Sequence, residues 1–124
     1  MRTIISTPKA PAAVGPYSQA IKVGNTIYCS GQIGLEPTTG TLLEGVTEQA
    51  HRAFNNIQAV LTEAGAQMKD VVKITIFITD MNDFAKVNEV MAEHMPTPYP
   101  ARSCMQVSAL PKGALVEVEA IAVL

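Results

Sequence analysis

Two β-branched runs constrain this chain most, "VVKITIFIT" at Val71–Thr79 and "VEVEAIAVL" at Val116–Leu124, because neither has a face made for water. Successive side chains of a strand point to opposite sides of its sheet. Val72, Ile74, Ile76 and Ile78 therefore form one wholly apolar face, and Val116, Val118, Ala120, Ala122 and Leu124 form another. The alternate positions, among them Lys73, Phe77, Glu117, Glu119 and Ile121, are mixed but do not make a water face. A sheet built from such strands needs cover on each side.

The cover within the chain is two helices. From Val46 to Ala64 the apolar residues Val46, Ala50, Ala53, Phe54, Ile57, Leu61 and Ala64 recur at helical spacing, and Gly65 follows where a helix end favours a left-handed residue. A second helix is predicted from about Asp83 to Met95, with Phe84, Val87, Val90 and Met91 inward and Asn82 or Asp80 as its cap. Pro96, Pro98 and Pro100 stop it. Further strands are predicted at "TIIS", at "QAIKV" and "TIYCSGQ" around a Gly24-Asn25 turn, and near "RSCMQV". The order is β-β-β-α-β-α-β-β, an α+β fold with two helices on one face of a mixed six-stranded sheet. Two helices cover only one face. The other is expected to meet another subunit, because large apolar patches are seldom left in water.

At 124 residues the chain reads as one domain, 1–124, and its 48% hydrophobic content excludes a disordered polymer. No apolar run reaches membrane-span length, and no export signal is read at the N-terminus. Cys29 and Cys104 are then expected to be reduced thiols of a cytoplasmic protein. A net charge of −2 with no Lys/Arg block argues against nucleic acid as a partner.

The chemistry-bearing stretch is "PARSC", Pro100–Cys104. Alternation puts Arg102, Cys104 and Gln106 on one face and Ser103, Met105 and Val107 on the other, the last two reading as core. If the last two strands pair as a hairpin through "LPKG", Cys104 falls opposite Glu117, and Arg102 and Glu117 share a side. A guanidinium fork grips a carboxylate through two hydrogen bonds, and a glutamate nearby positions or deprotonates a water. From spacing alone a simple Arg102–Glu117 ion pair fits equally well. Cys104 reads as a small hydrophobe, since neither histidine is placed to activate it. His51 reads as solvated, and His94 as an imidazole whose partial charge suits a helix C-terminus. The histidines and cysteines show no zinc-ligand spacing. Tyr17, after a Gly-Pro turn, and Ser30-Gly31, at a strand end, fit structural roles as well as ligand contact.

"APAAVGPYSQA", "YCSGQIG", "DFAKVNEV" and "PARSCMQVSALPKGALVEVEAIAV" together resemble the RidA (YjgF) family of imine deaminases, over nearly the whole chain. The resemblance implies a chorismate-mutase-like fold assembled as a homotrimer with clefts between subunits. It implies hydrolysis of 2-aminoacrylate-derived imines, such as 2-iminopropanoate and 2-iminobutanoate, to 2-keto acids and ammonia. No cofactor or metal is implied. Arg102 corresponds to the arginine that binds the substrate carboxylate, and Glu117 to the glutamate that orients water. Tyr17, Ser30, Gly31, Asn88 and Cys104 correspond to cleft residues, Cys104 not as a nucleophile. "NEVMAEHMPTPY" departs from many members, with Met91, His94 and Met95 where aromatics are frequent. Two rival readings are a non-catalytic trimer that binds small carboxylates such as 2-keto acids, which needs Arg102 but not Glu117, and an endoribonuclease. The acidic balance and the lack of a basic, aromatic stripe count against the latter.

Overall fold

A computed structural model describes residues 1–124. The strands are β1 (Arg2–Ile5), β2 (Ala20–Val23), β3 (Thr26–Ile33), β4 (Val71–Ile78), β5 (Ala101–Gln106) and β6 (Val116–Val123), and the helices are α1 (Val46–Glu63) and α2 (Phe84–His94). They form one six-stranded sheet in the order β1-β2-β3-β6-β4-β5. Only β4 and β5 run parallel, joined by the α2 crossover. This is the α+β architecture, element order and mixed sheet expected from the sequence.

Turn chemistry sets the first registers. Gly24 takes φ +58° between the paired residues Val23 and Thr26, as a two-residue hairpin turn requires. Gly65, at φ +84°, ends the first helix while Ala66 N–H reaches back to the Leu61 carbonyl. Asp80 caps the short 3₁₀ turn Met81–Asp83 through the Asn82 N–H, and Asp83, not Asn82 or Asp80, stands at the N-cap of α2.

The core lies between the sheet and the two helices. Ile74, Ile76 and Ile78 of β4 and Val116, Val118, Ala120 and Ala122 of β6 are buried against Phe54, Ile57, Val60 and Leu61 of α1 and Val87, Val90 and Met91 of α2. Two expected core residues lie elsewhere. A register shift between Val71 and Lys73 turns Val71 inward and leaves Val72 47% exposed. Met105 is 44% exposed on the helix-free face, where nothing in the chain covers it.

Side-chain amides fasten the connections that surround the site. Gln49 of α1 donates to the Leu43 carbonyl and accepts from Leu115 N–H, pinning the entry to β6. Buried Gln19 accepts from Thr7 N–H at 2.7 Å and donates to the Pro11 carbonyl at 2.8 Å, with Thr7 and Ala10 carbonyls also in reach. It thereby holds a proline-rich loop that has no strand partner. Leaving a buried backbone group unpaired costs about 1–3 kcal/mol. Gln19→Leu should lower unfolding free energy by about that amount in urea titrations, and an unchanged midpoint would contradict the clamp.

Candidate active site

The expected hairpin between the last two strands does not form. β4 lies between β5 and β6, pairing Ile74 with Arg102, Ile76 with Cys104 and Phe77 with Glu117. Partners in register point to the same side, and Ile74 points to the helices while Phe77 points away. Arg102 and Cys104 therefore face the helices at the sheet edge, and Glu117 faces the opposite side. The shared side expected for Arg102 and Glu117 is corrected accordingly, and the alternative of an ion pair between them is also excluded within one chain. The cause is topological: the α2 crossover delivers β5 outside β4, so β6 returns into the sheet interior.

Around Arg102 the sheet edge meets α2. The guanidinium carbon stands 5.3 Å from the Phe84 ring centroid, a cation–π contact. Nη1 donates to Asn88 Oδ1 and lies 3.8 Å from Met91 Sδ. Phe84, Asn88 and Met91 follow one another at i, i+4 and i+7, so a single helix face orients the side chain. Nε and Nη2 donate to no group of the chain. Arg102 thus presents an exposed, oriented and electrically uncompensated donor edge, into a cavity of about 400 Å³ bounded also by Tyr99 and Pro100. Phe84 and Tyr99 were not singled out from the sequence as site residues, and Met91 was noted only as a departure from the resembled family at the cleft rim. The i, i+4 spacing of Phe84 and Asn88 was the available signal, but it is equally that of a core stripe.

Across the sheet, Tyr17, Ser30, Gly31 and Glu117 line a second groove of about 640 Å³ together with Pro11 and Lys112. Ser30 hydroxyl donates to the Ser18 carbonyl at 2.6 Å, and Ser30 N–H to the Gln19 carbonyl, tying β3 to the loop that carries Tyr17. Burial raises the Glu117 carboxyl above its ordinary value, and the charge of Glu119 on the same face raises it further. The structure thus divides the expected site residues in two. Arg102 and Asn88 stand at one edge with Cys104 half-buried beside them, and Tyr17, Ser30, Gly31 and Glu117 stand on the far face.

The histidines also differ from expectation. His51 Nδ1 and His94 Nε2 meet at 2.9 Å between the helices, and Phe54 stacks on His94. Burial first, then the proximity of His51, lowers the His94 pKa against the opposing pull of Glu93, which disfavours the partial charge expected at a helix end. Helical register alone did not show that residues 43 positions apart would meet.

Residues 7–124 match the family described as Endoribonuclease L-PSP. A 2-iminobutanoate/2-iminopropanoate deaminase of Dermatophagoides farinae is 51% identical over 124 residues, covering 99% of this chain and 97% of that protein. Among solved structures, RidA from an Antarctic Psychrobacter superimposes with a TM-score of 0.97 at 52% identity, covering 98% of this chain and 99% of that one. E. coli TdcF with bound serine superimposes with a TM-score of 0.94 at 46% identity, with 98% of each chain covered.

Both thiols are free. Burial pushes Cys29 up to about 12. Burial also raises Cys104, with the Arg102 charge opposing. The thiolate is the reactive form, so both sites should be slow nucleophiles at pH 7. Iodoacetamide should leave Cys29 unmodified in the native protein. It should label Cys104 more slowly than a free cysteine, with a rate still rising at pH values where the free thiol has reached its plateau. Mass spectrometry after timed quenching reads both, and rapid labelling of either at pH 7 would contradict the assignment.

Proposed function

Because the chain belongs to the Endoribonuclease L-PSP family, the RidA/YjgF family, we propose that it hydrolyses small 2-imino acids, 2-iminopropanoate and 2-iminobutanoate, to 2-keto acids and ammonia. The observation that carries this reading is Arg102: a guanidinium held by Phe84 and Asn88 with its remaining fork edge free and no carboxylate of its own chain beside it. Such an edge suits a planar substrate carboxylate bound through two hydrogen bonds. Relatives sharing about half of the residues carry the same activity in their names, and serine, bound to the E. coli relative, is itself a small amino carboxylate.

Arg102 and Glu117 act on one molecule only if a second copy supplies one of them. The cleft is therefore built between subunits, with Arg102, Asn88 and Cys104 of one copy facing Tyr17, Ser30, Gly31 and Glu117 of the next. Such a contact joins unlike surfaces, and identical copies joined this way close into a ring where the rotation between them closes. A ring of three is the assembly that the family resemblance implies. The half-apolar sheet face, with Tyr28, Met105 and Val123 exposed, is the surface that the ring covers.

Within the cleft, Arg102 fixes the carboxylate and so the imine carbon. Glu117 accepts a proton from water as the water oxygen bonds to that carbon, and the C=N π pair moves to nitrogen. Glu117 returns that proton to nitrogen, giving a carbinolamine. The hydroxyl proton then passes to nitrogen as the C=O bond forms and the C–N bond breaks, and ammonia leaves. A raised carboxyl pKa brings Glu117 closer to neutral pH, where a general base works best. Holding the two reactants in place supplies the rest of the acceleration. A cytosolic setting is part of the same proposal and suits two free thiols.

A threonine dehydratase coupled to semicarbazide trapping tests the activity: added protein should reduce trapping of 2-iminobutanoate. Unaltered trapping would refute the reading, and RNA cleavage that depends on Arg102 would favour the endoribonuclease instead. Arg102→Lys keeps the charge but replaces the fork with a point contact. Losing a charge-assisted hydrogen bond costs about 1.5–3 kcal/mol, so kcat/KM should fall at least about tenfold while the fold is kept. Near-wild-type turnover by that variant would remove the carboxylate role. Light scattering should give three times the 13.2 kDa chain mass, and a monomer at micromolar concentration would contradict the shared cleft.

A further inference from the structure

β3 carries a bulge beside the Glu117 groove. Cys29 pairs with Ala120 and Gln32 with Val118, so β3 spends one residue more than β6 over the same stretch. Bulges locally re-aim a strand and its side chains. Here the extra length falls at Ser30-Gly31. Ser30 is turned toward the Tyr17 loop by its bonds to Ser18 and Gln19.

Gly31 has a different partner. A Cβ placed on it would lie 2.8 Å from Glu117 Cδ, 2.9 Å from Oε2 and 3.0 Å from Cγ. Ordinary contact begins near 3.4 Å. Gly31 is not one of the glycines with positive φ, so its backbone accepts an alanine. The three nearest atoms that a side chain there would meet all belong to Glu117. We propose that Gly31 is a positioning residue: the space left by its missing side chain is the seat of the Glu117 carboxylate and fixes where that carboxylate can hold water. This role replaces the expected contact between Gly31 and substrate, and it rests on the reading that Glu117 acts on water.

The geometry distinguishes seat from scaffold. The obstructing atoms are the end of a flexible side chain, so an alanine displaces the carboxylate rather than the strand. Burial is the leading cause of the raised Glu117 carboxyl, and the Gly31 seat lies against that carboxylate. A carboxylate pushed out of it is better hydrated, and its pKa should move down toward the ordinary value. Misplacing a reacting group by about an ångström can cost about a hundredfold in rate.

The test combines Gly31→Ala with Glu117→Gln in the trapping assay and follows the Glu117 carboxyl by ¹³C NMR titration. The expected result has three parts. Gly31→Ala lowers kcat at least about tenfold, with KM changed less than about threefold. It adds nothing to Glu117→Gln. The Glu117 pKa falls in Gly31→Ala. An unchanged Glu117 pKa would overturn the proposal, as would a rise in KM alone that persists in the Glu117→Gln background, the signature of direct contact with substrate. If Gly31→Ala does not fold, Gly31→Ala/Glu117→Ala should fold, and failure of both would overturn it. Absence of imine hydrolysis in the unaltered protein would sink the proposed reaction instead, and the NMR titration would still decide the seat.

Discussion

Arg102 and Glu117 leave the sheet on opposite sides, and the organisation of the site follows from that separation. The insertion of β4 between β5 and β6 imposes it. A sheet is a single layer, so two side chains on opposite faces cannot converge on one small molecule. Each half-site is nonetheless built with care. One presents oriented donors without a counter-charge, and the other presents a half-buried carboxylate held in no ion pair. Each supplies what the other lacks, which is the condition for a site that exists only between copies.

The same separation explains the sheet's composition. The helix-facing residues of β4 and β6 are aliphatic and fully buried, as a core requires. The far face alternates Thr75, Phe77, Glu117, Glu119 and Ile121, partly buried in the isolated chain. Such a face is too apolar for water and too polar for a core. It suits the interface proposed above, in which its carboxylates would be shared with the partner's cation and with substrate.

Periodicity and turn residues made the fold legible. The helical spacing from Val46, the β-branched run at Val71 and the Gly24-Asn25 turn each reflect a local preference, and each element stands where that preference put it. The pairing of β5 was not legible. Strand alternation fixes which residues share a face of one strand but is silent on which strand lies beside it. A short "LPKG" turn favoured a hairpin, whereas the chain uses Val107–Leu115 to pass over the end of β4. Residue type and motif made candidates legible, and of these Arg102 and Asn88 border one groove and Glu117, Tyr17, Ser30 and Gly31 the other. Their distribution between faces was not, because it depends on the strand order. The role of Phe84 and the meeting of His51 with His94 depend on how α2 lies on α1 and β5, a tertiary choice that neither helix encodes alone.

The central claim, that each working cleft draws Arg102 and Glu117 from different copies, is tested most directly by mixing two inactive variants. Arg102→Ala and Glu117→Ala chains, denatured together in equal amounts and refolded, form rings in which about a quarter of the clefts join an intact Arg102 to an intact Glu117. Imine hydrolysis should recover to about a quarter of the wild-type value, while each variant refolded alone stays inactive. A mixture no more active than its components, in rings shown by native mass spectrometry to contain both chains, would contradict the account.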